Sequence, residues 1–257
     1  MTRSGRRTSS KLRNVLILKT CLSATILLGY NVSGAFFGLW MCSDTLKLFE
    51  SILIVTGFNI MVNSVYLHFI SFWNIARGYE IVNQRMDELI PVTKPYTSLE
   101  KEEIYQLWAL HSHLGRVFQR LQTTCGIQML VLRFDFFLRI IIHGFHCFIF
   151  IFYDKESTPK GIKTFIITLC CMRMVGCFLN DYVIELATEY QRRPKDLIIE
   201  GILTKELSAY IIYERSMPLN LKIGGLYTAN RSNFLRLSEG VLCFFILLLQ
   251  FLLLYTN

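Results

Sequence analysis

Five stretches of this chain are apolar for long enough to cross a lipid bilayer, and nothing else in the sequence constrains its fold as much. They run over about 15–40, 48–72, 131–153, 162–183 and 237–256. A bilayer core takes roughly 20 apolar residues in a helix, and a helix pairs its own backbone N–H and C=O groups where no water is present to do so. The expected fold is an all-α polytopic transmembrane helical bundle of about five spans with long cytoplasmic helical extensions. Only 18% of the 257 residues are charged, against 53% hydrophobic with a mean hydropathy of +0.40, and the charges gather between the runs.

The net charge of +8 and pI near 9.1 would point to nucleic acid in a soluble domain. Here the bases flank hydrophobic spans, which the positive-inside rule explains better, so no nucleic-acid partner is expected. Arg3, Arg6, Arg7, Lys11 and Arg13 precede the first run. That run is far longer than the apolar core of a secretory signal and is read as the first span. With the N-terminus inside, the cytoplasmic parts hold five Lys and Arg in 1–13, six in 76–127 and seven in 184–231. The external loops hold Lys47, Lys155, Lys160 and Lys163. The count favours a cytoplasmic N-terminus and an external C-terminus.

The chain divides accordingly into a basic N-terminus (1–14), two spans (15–76), a cytoplasmic helical loop (77–127), two spans (128–183), a cytoplasmic helical region (184–236) and a final span (237–257). In the first cytoplasmic loop, 76–90 and 98–124 show helical spacing, as in Ile104, Leu107, Trp108, Leu114, Phe118 and Leu121. Pro91 and Pro95 separate the two stretches, and Ser98 followed by Glu100, Glu102 and Glu103 reads as a helix cap with an acidic first turn. Residues 196–215, between Pro194 and Pro218, read as a further amphipathic helix.

Chemistry-bearing motifs are sparse. There is no P-loop, GxSxG, HExxH or dinucleotide fingerprint. The eight cysteines form no CxxC, and Cys21, Cys147, Cys170, Cys171, Cys177 and Cys243 lie in apolar runs as small hydrophobes. The five histidines are too few for the histidine boxes of a membrane di-iron oxygenase. His111 and His113 point to nearly opposite helix faces, while His143 and His146 either line a polar cavity or simply pack. No enzyme, metal or cofactor is expected. Within the spans, Lys19 is placed to snorkel to headgroups, and Asp135 and Arg139 are spaced to pair on one face. Arg173 either binds an anionic group or forms an internal pair with Asp135 or Asp181. The sequons at Asn31 and Asn230 fall in a span and in the cytoplasm, so neither is expected to carry sugar.

The most specific pattern is C-terminal. Gly225-Leu226-Tyr227 and Asn230-Arg231-Ser232 precede a helix containing Cys243-Phe244, five hydrophobic residues, then Gln250-Phe251. This resembles the signature of the insect gustatory receptors, which carry Thr-Tyr, five hydrophobic residues and Gln-Phe. Cys243 and Phe244 replace the Thr-Tyr pair. Gln128-Met129-Leu130, the segment from Arg133 to Leu138, and the stretch from Gly78 to Leu89 resemble the same family.

The resemblance implies tetrameric, ligand-gated cation channels of seven membrane helices with a cytoplasmic N-terminus. Aligned by the final helix, the five spans here look like the third to seventh, with the first two missing. It further implies a taste-receptor subunit in the plasma membrane of chemosensory neurons, assembled with identical or related subunits and detecting a small-molecule tastant. Tyr30, Phe36, Phe58, His143, His146 and Phe165 are the ligand-binding candidates, chosen for outer-half depth and chemistry.

Cys243, Leu247, Gln250 and Leu254 recur at helical spacing in one stripe. Taken alone, Gln250 is most simply a buried amide bonded to a neighbouring helix. The resemblance turns the stripe into a pore lining, with an amide ring beside a hydrophobic constriction. Two other readings stay open: a polytopic receptor of the G-protein-coupled type, against which Asp-Arg-Tyr and Asn-Pro-x-x-Tyr are absent, and a truncated product without function.

Overall fold

A computed structural model describes residues 8–40, 45–89, 97–152, 160–192, 222–223 and 225–256. They form five helices: α1 (Ser10–Trp40), α2 (Thr45–Leu89), α3 (Ser98–Phe152), α4 (Lys160–Arg192) and α5 (Arg231–Thr256). Between α4 and α5 lies a two-stranded antiparallel hairpin, β1 (Lys222–Ile223) and β2 (Tyr227–Thr228), with Lys222 opposite Thr228 and Ile223 opposite Tyr227. Gly225 turns it at φ +75°, a conformation that costs glycine nothing. The expected all-α polytopic architecture is what forms.

Windows apolar and long enough to cross a membrane occur in four helices, within Ser10–Phe36, Thr45–Leu89, Ile167–Arg192 and Arg231–Phe251. The remaining expected span, 131–153, is helical to Phe152, and most of its outer side chains lie outside the described residues. The 76–90 and 98–124 stretches are not separate helices. They continue α2 and begin α3, so that α2, at 45 residues, is about 68 Å long, more than twice a bilayer core. Pro91, Pro95 and the expected 196–215 helix lie outside the described residues.

The helices reverse their apolar patterning along their length. The first half of α2 turns Leu46, Phe49, Ile52, Leu53 and Ile60 outward, as a helix in lipid can. From Phe69 onward it buries Phe72, Trp73, Ala76, Tyr79, Val82, Asn83 and Met86 at three- and four-residue intervals. Phe69, Phe72, Trp73, Ala76 and Tyr79 pack with Leu12 and Val15 of α1, Phe118 of α3, and Val183, Ile184, Leu186, Ala187 and Tyr190 of α4, while Val82 and Met86 pack with Leu107, Trp108 and Leu114 of α3. Phe72 meets Phe118 edge-on with ring centres 5.4 Å apart.

Polar ties fix the same level. The Trp73 indole donates to the Leu12 carbonyl at 3.0 Å, the Asn83 amide to the Tyr190 carbonyl at 2.6 Å, and the Ser9 N–H to Glu80 at 3.1 Å. Arg85 on α2 is ion-paired to Glu103 on α3.

The start of α3 corrects one expectation. Thr97, not Ser98, is the cap: its hydroxyl accepts from the Glu100 N–H at 3.4 Å, while Glu100 accepts from the Thr97 N–H at 2.7 Å. This reciprocal pair is a capping box. The Thr97 N–H and, at 2.9 Å, the Thr97 hydroxyl both donate to the Glu100 carboxylate and hold it below its ordinary range.

Two glycines allow close helix approach. A Cβ on Gly78 would stand 2.9 Å from Leu114 Cδ2, and one on Gly34 would overlap Val55 Cγ2. Val55 is stiff in a helix and has no long side chain to swing aside. Gly34→Ala is expected to part α1 from α2 and cost about 1–3 kcal/mol, read as a lower melting temperature in detergent; an unchanged transition would show that the approach is not needed.

Candidate functional site

The interior of the bundle holds a polar network that no single run of sequence announces. Asp181 of α4 is fully buried. It is ion-paired with Arg133 of α3, and its second oxygen accepts from the Tyr227 hydroxyl at 2.8 Å. The Arg133 guanidinium also lies 5.6 Å from the Tyr227 ring centre and 5.9 Å from that of Phe234, within cation–π range. Burial pushes the Tyr227 phenol above its ordinary value, against the opposing charge of Arg133. It therefore keeps its proton and serves as a donor.

Lys19 departs from expectation. Its ammonium does not snorkel outward: the residue is 3% exposed and donates to the Gly176 carbonyl of α4 at 2.8 Å. Arg173 resolves its open alternatives toward an ion pair with Asp135, at a loose 3.8 Å; Asp181 is taken by Arg133. The side chain of Arg139, the expected partner of Asp135, lies outside the described residues.

The ligand candidates divide. Tyr30 and Phe58 stack across α1 and α2 with ring centres 4.7 Å apart and planes 7° from parallel. One residue on, the Asn31 and Asn59 amides bond to each other, the Asn59 nitrogen donating at 2.9 Å. Phe165 joins from α4, its Cζ 3.4 Å from where a Cβ on Gly29 would stand. Phe36 is 69% exposed. His143 and His146 lie on α3, with side chains outside the described residues.

The stripe on α5 is presented outward. Cys243, Leu247, Gln250 and Leu254 are all exposed. The opposite face carries the packing: Phe234 sits between Phe136 and Phe178, with ring centres at 6.3 and 5.6 Å, Val241 is buried, and Phe245 lies 3.2 Å from a Cβ built on Gly144. Gln250 is exposed and has no hydrogen-bond partner on an adjacent helix among the described residues. The start of α5 is held by the motif noted in the sequence. Asn230 caps it by accepting from the Asn233 N–H at 2.7 Å, and Arg231 makes a two-pronged bond to Glu185 of α4 at 3.0 and 2.8 Å.

The Arg133–Asp181–Tyr227 network was missed because its members are 48 and 46 residues apart and join through tertiary folding alone. The available signal was an acid at the end of an apolar run, with a tyrosine in the Gly225-Leu226-Tyr227 turn. Removing Asp181 strands the Arg133 charge. Asp181→Ala is expected to cost about 3–5 kcal/mol and abolish folded protein on size exclusion, whereas Arg133→Met with Asp181→Leu should recover it. Tyr227→Phe should cost only about 1 kcal/mol. Equal losses in the single and double variants would refute the pairing.

Comparison with known proteins agrees with this architecture. A family profile described as 7tm chemosensory receptor matches residues 1–255. The chain is also 33% identical over 252 residues to putative gustatory receptor 59b of Drosophila erecta, an alignment covering 98% of this chain and 42% of that protein. The chain thus spans less than half the length of the relative it matches. The family is one of receptors and not a known enzyme class. With helices apolar and long enough to cross a membrane and a profile match along nearly its whole length, this chain is a membrane protein belonging to the 7tm chemosensory receptor family.

Proposed function

We propose that the chain is a subunit of a ligand-gated cation channel that detects small-molecule tastants at the plasma membrane of chemosensory neurons. The observation that carries this reading is the two-faced α5. One face packs on α3 and α4, and the opposite face offers Cys243, Leu247, Gln250 and Leu254, all exposed among the described residues. An exposed amide in an apolar helix is costly against lipid, and a water-filled axis shared with other subunits removes that cost. Four such helices, from identical or related subunits, place amide oxygens around a cation path at Gln250 and a hydrophobic constriction at Leu247 that closes by dewetting.

The ligand site in this reading is the aromatic group of Tyr30, Phe58 and Phe165, with the Asn31–Asn59 amides beside it and Phe36, His143 and His146 at its margin. Stacked rings next to polar amides suit a small ligand with an apolar face and a few hydroxyls. Binding opens the pore by as much as the ligand prefers the open arrangement. The N-terminus lies in the cytoplasm and the C-terminus outside. The second half of α2 and the first half of α3 then form a cytoplasmic bundle that, with 184–236, holds the subunits together.

In reconstituted channels Gln250→Ala is expected to change relative cation permeability several-fold while the ligand response persists; identical permeability would remove Gln250 from the pore. Against a panel of small-molecule tastants, Tyr30→Ala should raise the half-maximal concentration about tenfold, equivalent to ~1.4 kcal/mol, without changing permeation. A C-terminal tag should be reached by antibody on unpermeabilised cells, and a tag reached only after permeabilisation would invert the topology.

A further inference from the structure

The polar interior holds a half-open cavity of about 70 Å³ between α1, α2, α3 and α4, lined among others by Lys19, Ser23, His68, Arg133, Arg173 and Asn180. Its fixed charges do not balance. Arg133 is answered by Asp181 and Arg173 by Asp135. Lys19, 3% exposed, has among the described residues the Gly176 carbonyl as its acceptor and a cation–π contact at its outer range, 5.7 Å from the Phe69 ring centre. One ammonium charge is therefore buried with two of its three donors unmatched among the described residues, a state that low-dielectric surroundings penalise strongly.

Donors around it are likewise unspent. Arg133 Nη1 is buried with no acceptor, and so is His68 Nδ1 with no partner, in a residue 8% exposed. Asn180 Oδ1 has no donor, and a half-turn of that amide presents an N–H instead.

We infer that this cavity is a binding site for one small singly charged anion, held by Lys19 and Arg133 with Ser23, His68 and Asn180 around it. The volume admits a few waters, and so a halide or a single anionic group. It is separate from the aromatic group: Lys19 and Tyr30 are about 16 Å apart along α1. The charge comes in one of two forms, a free halide or the headgroup phosphate of a net-anionic lipid, and the test separates them. The inference stands apart from channel activity, since its readout is stability.

The full chain in nanodiscs of phosphatidylcholine is melted in sodium gluconate and in sodium bromide at constant ionic strength, then again in nanodiscs containing phosphatidylglycerol. A free anion gives a saturable rise of about 5 °C with bromide. A headgroup gives that rise with phosphatidylglycerol in gluconate, and no further rise with bromide. Lys19→Met abolishes either rise. Gly176→Ala, whose added methyl stands 3.5 Å from Lys19 Nζ, raises the bromide midpoint several-fold, or reduces the phosphatidylglycerol rise, and covers the case in which Lys19→Met does not fold. A melting temperature indifferent to both bromide and phosphatidylglycerol overturns the inference, as does a parental response retained in Lys19→Met or, where that variant does not fold, in Gly176→Ala.

Discussion

A fully buried aspartate is tolerable only if its charge is met, and the way Asp181 is met determines where half of this molecule goes. Its carboxylate draws Arg133 from α3 and the Tyr227 hydroxyl from the hairpin. The hairpin then delivers Asn230 to cap α5 and Arg231 to Glu185, one helical turn along α4 from Asp181. Phe234 follows, wedged between Phe136 and Phe178. The position of α5 thus follows from a chain of short contacts that begins at one acid. Without it, α5 would be an apolar helix with no particular place on the bundle, because Leu and Phe pack on lipid about as well as on other helices.

The molecule solves two burial problems with one set of helices. In water, apolar groups must be covered, so the far end of α2 buries Phe69, Phe72, Tyr79 and Met86 against α1, α3 and α4. In lipid the same groups are free to face outward, so the beginning of α2 exposes Phe49, Ile52 and Leu53. What must be covered there is polar: Lys19, Arg133, Asp135, Arg173 and Asp181 all turn inward. This explains why helices much longer than a bilayer run without a break through Ala76 and Gly115. The backbone requirement is identical on both sides, and only the side-chain rule changes.

That division also explains what could be read from the residues alone. Helix type and four of the five expected spans were legible because they depend on local runs of about 20 apolar residues, and the stripe on α5 was legible because it is one helix's own periodicity. The cap of α3 was misplaced by one residue because Thr97 and Ser98 are chemically equivalent candidates, and only the reciprocal bonds to Glu100 decide between them. Lys19 was misread for a deeper reason. Snorkelling is the general fate of a lysine near a span's end, but Gly176 leaves its carbonyl open on the facing helix, and that partner is 157 residues away. The Asp181 network and the stacked Tyr30–Phe58 pair have the same character: each member is unremarkable in its own segment.

The element that joins these parts is α4. Near its start Phe165 lies against Gly29 beside the stacked rings, and near its other end Asp181 and Glu185 fix the hairpin and the first turn of α5. The two ends are 20 residues apart in one unbroken helix, about 30 Å. A helix of that length moves along its axis as a unit, because stretching it would break backbone bonds that lipid cannot replace. Displacement at Phe165 therefore has to appear at Glu185, where Arg231 is gripped by two hydrogen bonds. Between them Gly176 and Asn180 border the cationic cavity, so a charge bound beside Lys19 presses on the same helix that connects the aromatic group to α5. An arrangement with two positions for α4 would set both the rings and the outward stripe at once, which is what coupling between separate sites requires.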